Sequence, residues 1–401
     1  MIRDLSPFYS KNARNIQSSV IRDLLKVTRK PEIISFAGGL PAPDTFPLEA
    51  IEDISCKLLR EHGRLALQYG PTEGEMPLRE ELAKWMSTSK PGITPSNILI
   101  TTGSQQGLDI VAKVFIDPGD IVIMELPSYI GAIQAFSAYR AKMIGVSQDS
   151  RGLRMDLLEK TLAKLAKRGK KPKFIYVVPD FQNPSGVTMT EERRRRLLEL
   201  AYAYEVPLVE DSPYRDLRFR GAAQPPVYGL DTRDQVIALG TFSKIFCPGL
   251  RLAWLMAPVA WTDRMVVSKQ SMDLASSTFN QLIAAEYMRR GLLLPQIQAI
   301  RKLYGKKRNV MLKALKEFMP KGVRWTKPEG GLFLWVKLPV RMNATELFKS
   351  AIDENVAYVV GEAFYCNGKG QNTMRLNFSY PSEEQIVEGI RRLATMIRKN
   401  M

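Results

Sequence analysis

Between about residues 98 and 260, short apolar runs stop at Gly, Ser, Pro or Asn and give way to helical patterns; this alternation constrains the fold more than any other feature of the chain. The runs fall at 98–102, 121–124, 174–178, 207–210, 236–240 and 252–256. After the first, Gly103-Ser104 opens a stretch in which Leu108, Val111, Ala112 and Phe115 recur at i, i+3, i+4 and i+7, the signature of an amphipathic helix. Strands alternating with helices predict an α/β fold with a mainly parallel sheet, because each crossover lays a helix on a sheet face.

After Pro258 the pattern changes. A long helical region is expected over 261–318, then an apolar run at 331–336, a helix at 344–354, a strand at 374–378 and a last helix from Ser382. This reads as a second, smaller α+β unit. The opening residues 1–45 are punctuated by Pro and Gly and too short to fold alone. The expected division is therefore an N-terminal arm at 1–45 packing on the small unit, a large domain at 46–290 and a small C-terminal domain at 291–401.

Composition removes several chemistries. His62 is the single histidine, and Arg60-Glu61-His62-Gly63-Arg64 reads as a solvated helix end. Histidine metal sites, Ser-His-Asp triads and Cys-His dyads would all need it, so acid–base work falls to Lys, Asp or Tyr. Cys56, Cys247 and Cys366 form no C-x-x-C pair, which points away from disulfides and structural zinc and towards a reducing compartment. No apolar run marks a signal peptide or a bilayer span, so a cytoplasmic protein without membrane contact is expected. The net charge of +17 raises nucleic acid as a partner. Its basic runs, at 193–196, 167–171 and 306–308, are dispersed, and they read as solvated helix faces rather than a specific nucleic-acid site.

Ligands of open α/β sheets bind at the carboxyl ends of strands. There Thr102-Gly103-Ser104-Gln105-Gln106 offers a helix N-terminus with free N–H groups, suited to a phosphate. Gly240-Thr241-Phe242-Ser243-Lys244-Ile245-Phe246 sets a lysine among apolar residues, where desolvation lowers its pKa and frees it as nucleophile and base. Its hydroxyls and Arg251 complete a possible phosphate cup. Two further strand ends carry Asp211 with Tyr214 three residues on, and Asp180-Phe181-Gln182-Asn183-Pro184-Ser185-Gly186, which alone reads as a turn.

Together these segments resemble the class I aminotransferases of fold type I, most closely the α-aminoadipate/kynurenine aminotransferase group. The resemblance runs from Ser35-Phe36-Ala37-Gly38-Gly39-Leu40-Pro41 to Asn372-Thr373-Met374-Arg375-Leu376 and rests on Ser-Lys-x(6)-Arg, Asn-Pro-Ser-Gly, Asp-x-x-Tyr and the late arginine; it implies a large-domain sheet of the seven-stranded type and an N-terminal arm that also packs on the substrate entrance. It implies a pyridoxal 5′-phosphate enzyme, with Lys244 holding the cofactor as an imine and shuttling the proton, and Asp211 keeping the ring nitrogen protonated. Asn183 and Tyr214 would meet the 3′-oxygen, Tyr129 would stack on the ring, and Ser104, Gln105, Thr241, Ser243 and Arg251 would hold the phosphate. Tyr69 would reach that phosphate from a partner subunit, which implies a homodimer. Arg375 would grip the substrate α-carboxylate, with Asn183 and Gly39 beside the substrate. Arg22 matches an arginine that meets the distal end of an acidic substrate; alone it reads as a solvated helix residue.

The implied reaction is ping-pong transfer from 2-aminoadipate, glutamate, aromatic or aliphatic amino acids to a 2-oxo acid such as 2-oxoglutarate. Thr241 and Ser212 stand where the group often has Ser and an acidic residue, which leaves the substrate less defined. Two other functions share the pattern. One is a transcriptional regulator carrying the same domain, for which about forty residues before the core are too few to form a winged helix. The other is a lyase or decarboxylase of the same fold.

Overall fold

The computed structural model describes residue 4, residues 6–15, residue 30 and residues 32–401. β1 (Ile34–Ser35) stands apart from the large sheet. That sheet is built from β2 (Ile98–Thr101), β3 (Ile121–Leu126), β4 (Lys142–Asp149), β5 (Gly152–Leu153), β6 (Phe174–Val177), β7 (Leu208–Asp211), β8 (Val236–Thr241) and β9 (Ala253–Met256). Their spatial order is β2-β9-β8-β7-β6-β3-β4-β5. Neighbours from β4 through β3, β6 and β7 to β8 pair in parallel, and β9 lies antiparallel between β8 and β2. Seven strands match the expected type. The eighth, β5, is two residues that fold back on the end of β4.

β2, β6, β7, β8 and β9 are buried at every position, which is why they read as unbroken apolar runs. β4 lacks that signature. It lies towards the sheet edge, mostly half-exposed or exposed, so its residues Lys142-Met143-Ile144-Gly145-Val146-Ser147-Gln148-Asp149 are mixed.

The expected long helix is three: Val259–Asp273, Thr278–Arg289 and Leu293–Phe318. The breaks come where Leu274 and Gly291 take positive φ (59° and 70°), and Ser277 caps the second helix by accepting from the Asn280 N–H. The C-terminal sheet follows, with β10 (Arg324–Trp325), β11 (Phe333–Lys337), β13 (Val359–Val360) and β14 (Thr373–Asn377) in the antiparallel order β10-β11-β14-β13. Between β11 and β13, β12 (Val356–Ala357) pairs in parallel with β1. The last helix, Glu383–Lys399, begins at a Ser382–Gln385 capping box.

The basic runs are not all solvated. Residues 167–171 are, and Arg195 and Arg196 form surface pairs with Glu191, Glu159 and Glu199. Arg194, however, is fully buried and holds both oxygens of Asp180 at 2.8 and 3.1 Å while donating to the Pro179, Met189 and Pro225 carbonyls. Lys307 and Arg308 are also buried, with Lys307 donating to the Ser379 carbonyl. These residues lie on inward helix faces, where Arg194 and Lys307 donate to backbone carbonyls and Arg308 lies over the Phe219 ring. Arg194 thereby ties down both ends of the loop that carries Asn183.

Candidate active site

Polar residues leaving β2, β3, β6, β7 and β8 converge at the carboxyl edge of the sheet, and Gly39 with Phe333 and Arg375 of the C-terminal sheet close the space above them. The result is a cavity of about 270 Å³ whose walls include Gly39, Ser104, Gln105, Tyr129, Asn183, Asp211, Tyr214, Thr241, Ser243, Lys244, Arg251 and Arg375. Every candidate from the sequence lies here except two. Tyr69 is 85% exposed and lines a separate surface cleft with Ala275 to Phe279. Arg22 lies outside the described residues. A larger groove of about 840 Å³ runs between the end of β4 and the C-terminal sheet, on the far side of the Asn183 loop, and holds none of the candidates.

The charged groups are placed at a cost. Lys244 donates to the Gly39 carbonyl at 2.8 Å, a neutral partner. Burial, with Arg375 and Arg251 nearby, brings its amine down to about 8. Arg375 is 2% exposed, and among the described residues it has no carboxylate partner. It donates to Asn183 Oδ1 at 2.9 Å and the Ala37 carbonyl at 2.7 Å, its guanidinium lies 4.0 Å from the Phe333 ring centroid, and its Nε–H has no partner. Burial depresses it to about 10, with the Tyr214 and Tyr129 phenols acting the other way.

Asp211, also 2% exposed, accepts from the Tyr176 hydroxyl at 2.7 Å through Oδ2 and leaves Oδ1 unpartnered. Burial pushes its carboxyl up to about 6. Asn183 donates to the Tyr214 oxygen at 3.3 Å, and burial raises both tyrosines of the cavity, Tyr129 to about 12. The cavity thus holds three cations, Lys244, Arg251 and Arg375, and one anion, Asp211, with no ion pair to any of them among the described residues, charges that water would otherwise solvate.

One end is shaped by missing side chains. Gly103 (φ 86°) caps the helix Ser104–Phe115, and a Cβ there would strike the Arg251 guanidinium. Arg251 itself takes the left-handed conformation (φ 53°, ψ 46°), a strained position for a residue with a side chain. The cluster of Ser104, Gln105, Thr241, Ser243 and Arg251 therefore presents hydroxyls, a helix N-terminus and a cation to one point, the equipment of an oxyanion site. A Cβ on Gly131 would meet the Tyr129 ring and the Gln105 carboxamide, so that glycine sets the tyrosine's tilt.

Sequence reasoning missed Tyr176 and Phe333. Tyr176 was legible in principle, since a phenol inside the aliphatic run at 174–178 needs a buried partner.

The family described as aminotransferase class I and II matches residues 34–393. The chain belongs to this family. This aminotransferase is 47% identical over 399 residues to aromatic-amino-acid aminotransferase 1 of Thermococcus litoralis, covering 99% of this chain and 96% of that one. It is 42% identical to the 2-aminoadipate transaminase of Thermus thermophilus, covering 98% and 97%. Among solved structures, the kynurenine aminotransferase of Pyrococcus horikoshii in complex with PMP superposes with a TM-score of 0.96 at 47% identity, covering 100% and 99%. The aminotransferase has the pyridoxal-phosphate fold type I, uses that cofactor, and moves an amino group from an amino acid to a 2-oxo acid. No helix among the described residues is long and apolar enough to cross a membrane.

Proposed function

We propose that the chain is a broad-specificity aminotransferase that takes 2-aminoadipate, glutamate and aromatic or aliphatic L-amino acids and delivers the amino group to 2-oxoglutarate, as a cytoplasmic homodimer. The observation that carries the reading is the single cavity in which a desolvated lysine, an aspartate with a free oxygen and an unpaired buried arginine meet. These groups fit pyridoxal phosphate. Asp211 Oδ1 is left for the ring nitrogen, and Asn183 with Tyr214 for the 3′-oxygen. Tyr129 would lie against the ring, and the Ser104, Gln105, Thr241, Ser243 and Arg251 cradle would take the phosphate.

Bound there, the cofactor supplies an electron sink for the charge left at the substrate Cα. The protein does the rest. Lys244 would hold the cofactor at rest and, once released, would take the proton from the substrate Cα and deliver it to the cofactor carbon bonded to the transferred nitrogen, for which an amine whose pKa burial brings down to about 8 is suited. Arg375 draws in the α-carboxylate, whose arrival supplies the counter-ion the guanidinium lacks, with Asn183 and Gly39 alongside. Arg22 is assigned to the distal carboxylate of acidic donors by resemblance alone.

The three-part division at 1–45, 46–290 and 291–401 belongs to the same reading. Pairing of β1 with β12 and the Ala42 N–H bond to Tyr304 Oη (2.9 Å) support an arm docked on the C-terminal unit.

Every donor carries an α-carboxylate, so Arg375→Lys should lower kcat/KM for acidic and neutral donors alike, by roughly ten- to a hundredfold for a lost charged hydrogen bond. Arg22→Ala should lower it only for 2-aminoadipate and glutamate. Oxo-acid product across a donor panel with 2-oxoglutarate decides this, and a selective loss with Arg375→Lys would overturn the carboxylate assignment.

The dimer reading rests on exposed apolar surface. Leu65, Leu67, Tyr69, Met76 and Leu274 are each at least half exposed, and the Tyr69 cleft is bound to the phosphate end of the cavity through Thr102 Oγ1 and Ser276 Oγ, 3.0 Å apart. Sedimentation should give about twice the 45.3 kDa chain mass. Tyr69→Phe should weaken cofactor retention about tenfold without changing that mass. A fully active 45.3 kDa species would refute the arrangement.

A further inference from the structure

We propose that Tyr176 is a positioning residue for Asp211: its phenol occupies Oδ2 and thereby fixes the carboxylate with Oδ1 turned to the cavity. The proposal rests on the reading of Asp211 given above and adds a residue to it.

The placement follows from strand register. Tyr176 on β6 pairs with Val209 on β7, and Asp211 lies two residues further on, so all three project from one face of the sheet. Glu210, between them in sequence, points to the other face and accepts from the Val227 and Tyr228 N–H groups. Tyr176 is fully buried and its ring packs edge-on against Phe136, with centroids 5.5 Å apart. Its hydroxyl donates to Asp211 Oδ2 at 2.7 Å. Among the described residues this is the carboxylate's only hydrogen bond.

The chemistry of the donor matters. A lysine or arginine here would neutralise Asp211 and spend the charge that a protonated ring nitrogen needs. A phenol leaves the full negative charge in place while removing one of the two ways the carboxylate could turn. It also works against burial. Desolvation raises Asp211 to about 6, the Tyr176 hydrogen bond opposes that rise, and the nearby Glu210 charge adds to it. Tyr129 and Tyr214 also face the carboxylate across the cavity, and the phenol of each is made less acidic by it. Burial and the same carboxylate hold the Tyr176 proton well above its ordinary range, so it remains a donor at every working pH.

The test is Tyr176→Phe, which deletes one oxygen and keeps the ring in its packing. A charged hydrogen bond corresponds to about one to two pH units of Asp211 titration. In cofactor-free protein, ¹³C-carboxyl NMR should move the Asp211 midpoint, assigned by its absence in Asp211→Asn, upwards by that amount. In the loaded enzyme, kcat should fall on the order of tenfold or more with donor KM unchanged, and the acid limb of its pH profile should move up. Difluorotyrosine at 176, a stronger donor of nearly the same volume, should move the midpoint down, which keeps the proposal testable should the phenylalanine variant fold poorly. An unmoved midpoint in both substitutions overturns it. If Asp211→Asn keeps normal turnover, the reading of Asp211 itself is lost. If Asp211→Asn is inactive while Tyr176→Phe keeps the wild-type profile, only the role of Tyr176 is lost.

Discussion

Lys244→Ala is expected to cost at least about 10²–10⁴-fold in kcat, the range for loss of a positioned acid–base group. Among the described residues its amine is the only lysine nitrogen in the cavity, and at 2.8 Å from the Gly39 carbonyl it has no carboxylate to hold its proton. Lowering the amine from 10.5 to about 8 raises its neutral fraction near pH 7 roughly three-hundredfold. Lys244→Arg should be as damaged as the alanine variant, because a guanidinium keeps its proton at every working pH. Borohydride reduction of the loaded wild type followed by peptide mapping should place the pyridoxyl group on Lys244. The rate of cofactor capture by cofactor-free protein should rise with pH through about 8. A label elsewhere, or a capture midpoint near the ordinary lysine value, would overturn the assignment.

Most of this site was legible because each strand that delivers a candidate is buried on both faces. Such strands announce themselves as apolar runs, and the first polar residues after the run are then the ones at the sheet edge. Thr101 to Gln105, Glu210 to Tyr214 and Gly240 to Lys244 all follow this rule. It fails at β4, where a half-exposed strand has no such run, and at the helices over 259–318, where the breaks depend on single residues at positive φ. Arg194 was misread for a related reason. Four arginines in a row on a helix must point in several directions, and which one turns inward depends on Asp180, fourteen residues earlier. Tyr176 shows the limit of reading strand ends, since it sits within the run and acts sideways on the neighbouring strand. Tyr69 is exposed in a single chain, so its assignment draws on resemblance and on the apolar surface around it.

Asp211→Asn should move activity and stability in opposite directions. Turnover should fall about 10²–10³-fold, the usual cost of removing one preorganised charged partner from a reacting centre. Stability follows from where the carboxyl titrates. Its folded value, about 6, lies above the ordinary 3.8, so the folded state binds this proton more tightly than the unfolded chain does. The contribution of the neutral acid is therefore present below pH 4 and is lost as pH rises towards 6. Two units correspond to about 2–3 kcal/mol, undiminished by solvent because the side chain is 2% exposed. Above pH 6 the cofactor-free wild type carries this penalty and Asp211→Asn does not. The variant should then melt higher than wild type without cofactor at pH 8, with little difference at pH 4. Adding pyridoxal phosphate should reverse the order at pH 8, because only the wild type gains a charged partner for Oδ1. Thermal melts of both proteins, with and without cofactor at the two pH values, give the comparison. If the variant melts lower in all four conditions, Asp211 is a structural residue whose charge is already satisfied. If it melts higher without cofactor and keeps normal turnover, the carboxylate is strained for some purpose other than the ring nitrogen.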